Sequence, residues 1–277
     1  MNKQLPIDLE LCIHRFQDYV AKQYRLGAKS WPLAKPLIGE VAERIVGGLP
    51  TEAPPVDLDH IASLLGVDVN LVPKLYGKIS GQLRPKGTGF EIRAVAPESQ
   101  PLSYRWRFTV AHELGHRLFF SLSSRPERVF PQQHQQNAIF KREEGLCDSF
   151  ASSLLVPARM AQESFADQTS LQDIIRKSYA YEVSPEVLIR RLLYDFQRLS
   201  TCVIYVLRKL PAPDVATFRG VDVKSQRIFP VAAQVLDLIK LLPPSEWVGK
   251  IRTLDPLRNA EFCSHGSRIY LLARRTS

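Results

Sequence analysis

His112-Glu113-Leu114-Gly115-His116 is the one stretch of this 277-residue chain whose residue types and spacing specify chemistry by themselves. At 3.6 residues per helical turn, the two histidines share a face and can reach one metal ion. Glu113 is turned by about 100°, off the metal and toward a water the metal would activate, which is where a general base is needed. Phe108, Val110, Ala111, Leu114, Leu118, Phe119 and Phe120 make the context apolar and helix-forming. A buried helix of this kind must satisfy its polar side chains, and core histidines with hydrogen-bond partners but no metal are the competing reading. Gly115 costs a helix roughly 1 kcal/mol against alanine, tolerable where another element must come close.

A catalytic zinc site takes three protein ligands and leaves one position open. The metzincin pattern would need glycine and histidine where this chain has Phe119 and Leu122, so that class is excluded. Downstream, Glu144 and Asp148 are one helical turn apart. Their shared face lets Glu144 act as third ligand while Asp148 accepts a hydrogen bond from a ligand histidine and fixes its tautomer. The 28 residues from His116 to Glu144 leave room for the second helix to fold back on the first. Glu143 and His134 are the competitors. Glu143 points about 100° away and has Cys147, not an acid, four residues on. His134 sits in a glutamine-rich loop, where histidines are ordinarily solvated, and Cys147 reads as core.

The elements that must hold these groups are legible from periodicity. Residues 104–122 and 141–155 pattern as helices, the second closed by Pro157, with a polar loop between them. Residues 79–84 and 90–95 flank Pro85-Lys86-Gly87-Thr88-Gly89 as a hairpin, and residues 67–71 alternate as a strand. Before these, Val56–Gly66 reads as a short helix with an aspartate cap and a closing glycine. Residues 9–49 read as helical segments broken at Ser30-Trp31-Pro32 and again at Lys35-Pro36. Later, Leu171–Ser178 and Ser184–Leu199 suggest a helical pair, with Pro185 at the first helical position. After Leu199 come strand patterns at residues 201–207 and 267–273 around a helix near Val231–Leu242.

Composition sets the frame. The chain is 45% hydrophobic and 23% charged, ordinary for a globular protein and wrong for a disordered or fibrous one. No apolar run approaches the roughly 20 residues of a membrane span, and an acid falls where a signal peptide would need its apolar core. A cytoplasmic protein with no membrane association is expected. Cys12, Cys147, Cys202 and Cys263 form no C-x-x-C pair, which fits reduced thiols. The net charge of +9 comes as scattered pairs such as Lys141-Arg142 and Arg190-Arg191. A solvated basic surface is the leading reading, and direct nucleic-acid binding the minority one.

Residues 55 to about 193 resemble the ImmA/IrrE family of metallo-endopeptidases. The family's Arg-Phe-Thr-x-Ala-His-Glu-x-Gly-His helix reads here Arg107-Phe108-Thr109-Val110-Ala111-His112-Glu113-Leu114-Gly115-His116. Its Glu-x-x-Ala-(Asn/Asp)-x-Phe-Ala-x-x-Leu-Leu-x-Pro segment reads Glu144 to Pro157, with Cys147 in place of the alanine. Val183–Leu192 matches the family's following helix. The resemblance implies a cytoplasmic peptidase with one zinc ion, its protein substrate a helix-turn-helix repressor or antitoxin-like partner.

Taken together, these readings predict an α+β fold: a zincin-like metallopeptidase domain over residues 51–199, a helical N-terminal extension over 1–50, and a small α+β accessory domain over 200–277. Some relatives carry a sensor-like C-terminal domain, and this tail could be one. The zinc ligands are His112, His116 and Glu144, the base is Glu113, and Asp148 stands behind a ligand. Tyr179 and Tyr181 are candidates for stabilising the oxyanion. The strand Phe90–Val95 is expected to border the cleft as an edge strand and bind substrate extended. The rivals are a regulator that keeps the zinc fold but acts by binding protein or DNA, and a zinc hydrolase of non-peptide substrates.

Overall fold

The helical patterns at the start of the chain fold, in the computed structural model, as α1 (Ile7–Arg25) and α2 (Ala34–Gly47). The structure describes residues 5–50, 53–77, 79–96, 104–122, 127–130, 138–165 and 169–192, and beyond them the strands named below. Helix α1 buries Leu9, Ile13, Phe16 and Val20, and α2 buries Leu37, Ile38, Val41 and Ile45, each set spaced for one face of a helix. The expected break at Lys35-Pro36 does not occur. Pro36 falls in the first turn of α2, where its missing N–H would have had no helical partner.

Helix α3 (Leu58–Leu64) starts on Asp57, whose Oδ1 accepts from the backbone N–H groups of Asp59 and His60 at 3.1 and 3.0 Å. It ends into Gly66 at φ +68, a left-handed conformation that glycine adopts without strain. Three strands follow: β1 (Val67–Val72), β2 (Gly81–Lys86) and β3 (Gly89–Val95). Their spatial order is β1-β3-β2, with β1 parallel and β2 antiparallel to β3. The hairpin forms with a tighter turn than expected: Pro85 and Lys86 belong to β2 and Gly89 to β3, which leaves Gly87-Thr88 as the loop. Strand β3 is the central strand and not an edge, because β1 claims its second side. The open edge beside the helices belongs to β2.

Helix α4 (Arg105–Arg117) lies on β2 and β3, and α5 (Ala138–Leu155) crosses it and packs on α2. Helix α4 ends before the expected Leu122: residues 118–121 turn away, and Phe120 bridges to Arg128. The turn is held from α1, where the buried Gln17 amide donates to the carbonyls of Leu118 and Phe120 at 2.9 and 2.8 Å. Helix α6 (Ala158–Ser164) follows Pro157, and the Glu43 carboxylate accepts from the N–H of Ala158.

By its contacts the chain divides into two units, Met1–Ser164 with Ala180–Ser184, and Phe165–Tyr179 with Pro185–Ser277. Helices α7 (Leu171–Ala180) and α8 (Pro185–Arg190) belong mainly to the second. So do five antiparallel strands, β4 (Cys202–Leu210), β5 (Thr217–Asp222), β6 (Ile228–Pro230), β7 (Ala260–His265) and β8 (Arg268–Arg274), in the order β6-β5-β4-β8-β7. Helix and sheet are thus both present in an α+β arrangement. The helix expected near Val231–Leu242, and residues 193–199, lie outside the described residues. Among the described residues no helix is long and apolar enough to cross a membrane. Cys12 and Cys147 are free and buried. The side chains of Cys202 and Cys263 lie outside the described residues.

Candidate metal centre

Helices α4 and α5 can cross closely because Gly115 has no side chain at the contact. A β-carbon there would lie 3.0 Å from the Cys147 Cα. The crossing sets a stripe of α5 residues, Glu143, Glu144, Cys147 and Asp148, against the two histidines of α4. Glu144 lies between them: its Oε2 is 3.3 Å from His112 Nε2 and its Oε1 3.2 Å from His116 Nε2.

The opposite ring nitrogens are also engaged. His112 Nδ1 is 2.9 Å from Asp148 Oδ1, the partner the i+4 spacing predicts. His116 Nδ1 is 3.0 Å from Glu143 Oε1. A carboxylate only accepts, so each Nδ1 carries a proton and each Nε2 is the atom turned toward Glu144. Glu143 therefore has a place in the site that its spacing did not suggest. It stands behind His116 as Asp148 stands behind His112. Its second oxygen accepts from Arg128 Nη2 at 2.6 Å.

Electrostatics follow from this crowding of acids. Burial alone would lower the His112 pKa, but Asp148 and Glu144 outweigh it and push it up to about 9. Burial works the same way on His116, and Cys147, Glu143 and Glu144 beside it hold it well above the ordinary value. Burial would raise Glu144, yet the two histidines hold it down at about 2. Such values keep both rings protonated at neutral pH, so a divalent cation of borderline softness would displace the two Nε2 protons to take those nitrogens and the anionic Glu144 carboxylate as ligands. Cys147 offers an alternative third donor: its Sγ and a nitrogen of each histidine lie within 4.8 Å of one another. Burial pushes its thiol up to about 11, so Cys147 is a neutral thiol where Glu144 is already charged.

Glu113 points elsewhere, as its offset requires. Its carboxylate is buried, which raises its pKa, and its Oε2 accepts from the Leu83 N–H of β2 at 2.9 Å. Strand β2 comes this close because position 81 is glycine: a β-carbon would meet Thr109 Cγ2 at 2.4 Å and Glu113 Cγ at 3.1 Å. Since Ser80 accepts from Val95 of β3, the alternation of the strand turns the peptide groups of Gly81, Leu83 and Pro85 to the open edge. Pro85, which has no N–H to leave unpaired, is suited to that position.

Two candidates have other surroundings. Tyr181 is buried and its hydroxyl donates to Ser164 at 3.0 Å, while Tyr179 is half exposed. His134 lies outside the described residues. Sequence reasoning missed Arg128, which has no motif around it, and the partnership of Leu83 with Glu113, which is a backbone contact without a side-chain signature.

Residues 101–193, a third of the chain, match the Peptidase_M78 family model, described as an IrrE N-terminal-like domain. Over this segment the resemblance to the ImmA/IrrE metallopeptidases is borne out. No curated protein matches significantly. A solved structure titled "Mycobacterium tuberculosis transcriptional regulator" matches with a TM-score of 0.41 and 17% identity, over 78% of this chain. The match spans 60% of that structure's length.

Proposed function

We propose that this chain is a cytoplasmic zinc-dependent endopeptidase, with His112, His116 and Glu144 as the zinc ligands and Glu113 as the general base. The observation that carries the reading is the pair of Nε2 atoms facing one carboxylate, each ring held at its Nδ1 by a further carboxylate. Bound there, zinc supplies a Lewis acid that polarises a carbonyl and acidifies water. Glu113, its pKa raised by burial, is poised to take a proton from the attacking water and pass it to the leaving amine. The Leu83 N–H holds one of its oxygens and leaves the other for that transfer.

Strand β2 supports an extended peptide as substrate. The carbonyls of Gly81, Leu83 and Pro85 face the open edge beside Glu113, so a peptide pairing there would lie alongside the base. This replaces β3 as the docking strand. The resemblance extends the proposal to the partner, a helix-turn-helix repressor or antitoxin-like protein.

The test is metal analysis beside peptide-library digestion by the zinc-loaded protein. Glu113→Gln should keep about one equivalent of zinc, since the ligands are untouched, while cleavage falls by something like 10²–10⁴-fold. Glu144→Ala should lose both. Full activity in Glu113→Gln removes the mechanism, and undiminished zinc in Glu144→Ala reassigns the third ligand, with Cys147 next in line. The net charge of +9 supports a second reading, a regulator that binds nucleic acid. Affinity for DNA that falls steeply with salt, with no peptide cut, would favour it.

A further inference from the structure

The Glu143 carboxylate is shared between two cations' worth of donors. One oxygen meets His116 Nδ1 at 3.0 Å and the other takes the Arg128 guanidinium at 2.6 Å. Glu143 is almost wholly buried, at 7% side-chain exposure. Removed from water, a carboxylate needs a hydrogen-bond partner on each oxygen to stay in place, and a guanidinium is the donor best shaped to hold it.

Arg128 is itself braced. Its guanidinium carbon lies 5.0 Å from the centre of the Phe120 ring and 5.8 Å from that of Phe130, both within cation–π range. Phe130 stacks on Tyr24 at 5.2 Å with the rings 16° apart, and meets Trp31 and Phe119 edge-on. The Phe120 carbonyl is held by Gln17. Tyr24, Gln17 and Trp31 all come from the helical N-terminal extension. An unbroken line of contacts therefore runs from that extension through Phe130 and Arg128 to Glu143 and the His116 ring.

We propose that Arg128 is a positioning residue: it locks Glu143 against His116 Nδ1, so that His116 Nε2 faces Glu144, and the N-terminal extension is the brace that keeps it there. The proposal rests on the reading of His116 as a zinc ligand. Without Arg128, the buried Glu143 carboxylate has one partner and is free to leave His116 for solvent, and the imidazole loses its fixed orientation.

The test is zinc affinity by chelator competition on the full chain, with the unfolding midpoint of each metal-free variant measured alongside. Arg128→Met keeps a stem of similar length against the two rings and removes the guanidinium. It should weaken zinc binding by about 10–100-fold, the range for partners that orient a ligand. Arg128→Lys, which keeps the charge but not the fork, should recover part of that loss. A purely structural role would not distinguish methionine from lysine at equal unfolding midpoints. Should Arg128→Met fail to fold, Arg128→Lys and Glu143→Gln decide: acting through one carboxylate, their effects on affinity must be non-additive when combined. Wild-type zinc affinity in Arg128→Met or Arg128→Lys, or additive effects of Arg128→Lys and Glu143→Gln, overturns the proposal. His116→Ala separates the two levels. If it retains full zinc affinity, the ligand assignment has failed. If it loses zinc while the Arg128 variants do not, only the positioning role has failed.

Discussion

Gly115 of α4 and Cys147 of α5 touch backbone to backbone: a β-carbon on Gly115 would lie 3.0 Å from the Cys147 Cα and 3.2 Å from its Cβ. The distance between the two site helices is set at this point, one residue from His116 and three from Glu144.

Gly115→Ala should accordingly reverse the usual helix preference. In a solvated helix alanine would gain about 1 kcal/mol over glycine. Here the added methyl meets main chain, and overpacking of this kind costs about 1–3 kcal/mol. The variant should melt lower than wild type and bind zinc more weakly, since α5 must move away with Glu144. Cys147→Ala should not rescue it, because the clash is with Cα and Cβ and alanine keeps both. A melting temperature at or above that of wild type would show that the helices are not in contact here.

A second close approach positions the base. Gly81→Ala would place a methyl 2.4 Å from Thr109 Cγ2 and force β2 away from α4. The Leu83 N–H would then leave the Glu113 carboxylate, and cleavage should fall with zinc still bound, at a stability cost of about 1–3 kcal/mol. Thr109→Ser removes the methyl that is struck and should restore much of both in the double variant. Equal losses in the single and double variants would place the damage elsewhere.

The sequence carried some of these relationships and hid others, for reasons that differ. The Asp57 cap and the Asp148 partner of His112 were readable because both are local: a cap acts within three residues, and Asp148 is one turn from Glu144. The same rule fails for Glu143. Its neighbours on α5 offer no acid, but its partners are His116 on α4 and Arg128 in a segment with no pattern of its own. The edge strand is not legible because chain order does not give spatial order. The hairpin pairs β2 with β3, and only the parallel pairing of Val67 with Phe90 and its successors puts β3 in the middle.

That central strand holds a buried acid with a pH signature. Glu91 is paired with Arg84 and with Lys86 Nζ at 3.3 Å, and the Arg84 hydrogen bond, opposed by burial and aided by Lys86, keeps its pKa below the usual carboxylate value. A group with a lowered folded-state pKa stabilises the fold above its unfolded value, near 4.3, and loses that stabilisation as pH falls through the folded value. Wild type should therefore melt above Glu91→Gln at pH 7, and the gap should close as pH is taken from about 5 to 3. A gap that stays constant over that range would mean that Glu91 contributes through packing and not through charge.

Asp148 gives the cleanest separation of metal binding from folding. It is 61% exposed on the side-chain scale, yet its Oδ1 sits 2.9 Å from His112 Nδ1. Exposure implies that the fold does not depend on it, and a surface substitution ordinarily shifts stability by no more than about 0.5 kcal/mol. Its contact implies that His112 does depend on it, because the hydrogen bond at Nδ1 leaves Nε2 as the free donor and fixes the plane of the ring. Measured above about pH 9, where His112 is neutral and its pairing with Asp148 no longer favours the fold, Asp148→Ala should leave the metal-free melting temperature unchanged, and it should weaken zinc by about 10–100-fold. Asp148→Asn retains an oxygen acceptor at the same reach and should lose less, the difference measuring what the carboxylate charge adds beyond orientation. Glu143→Gln, at a buried position, should differ from both by lowering the melting temperature as well. Equal zinc affinity in wild type and Asp148→Ala would mean that His112 is oriented by its packing alone.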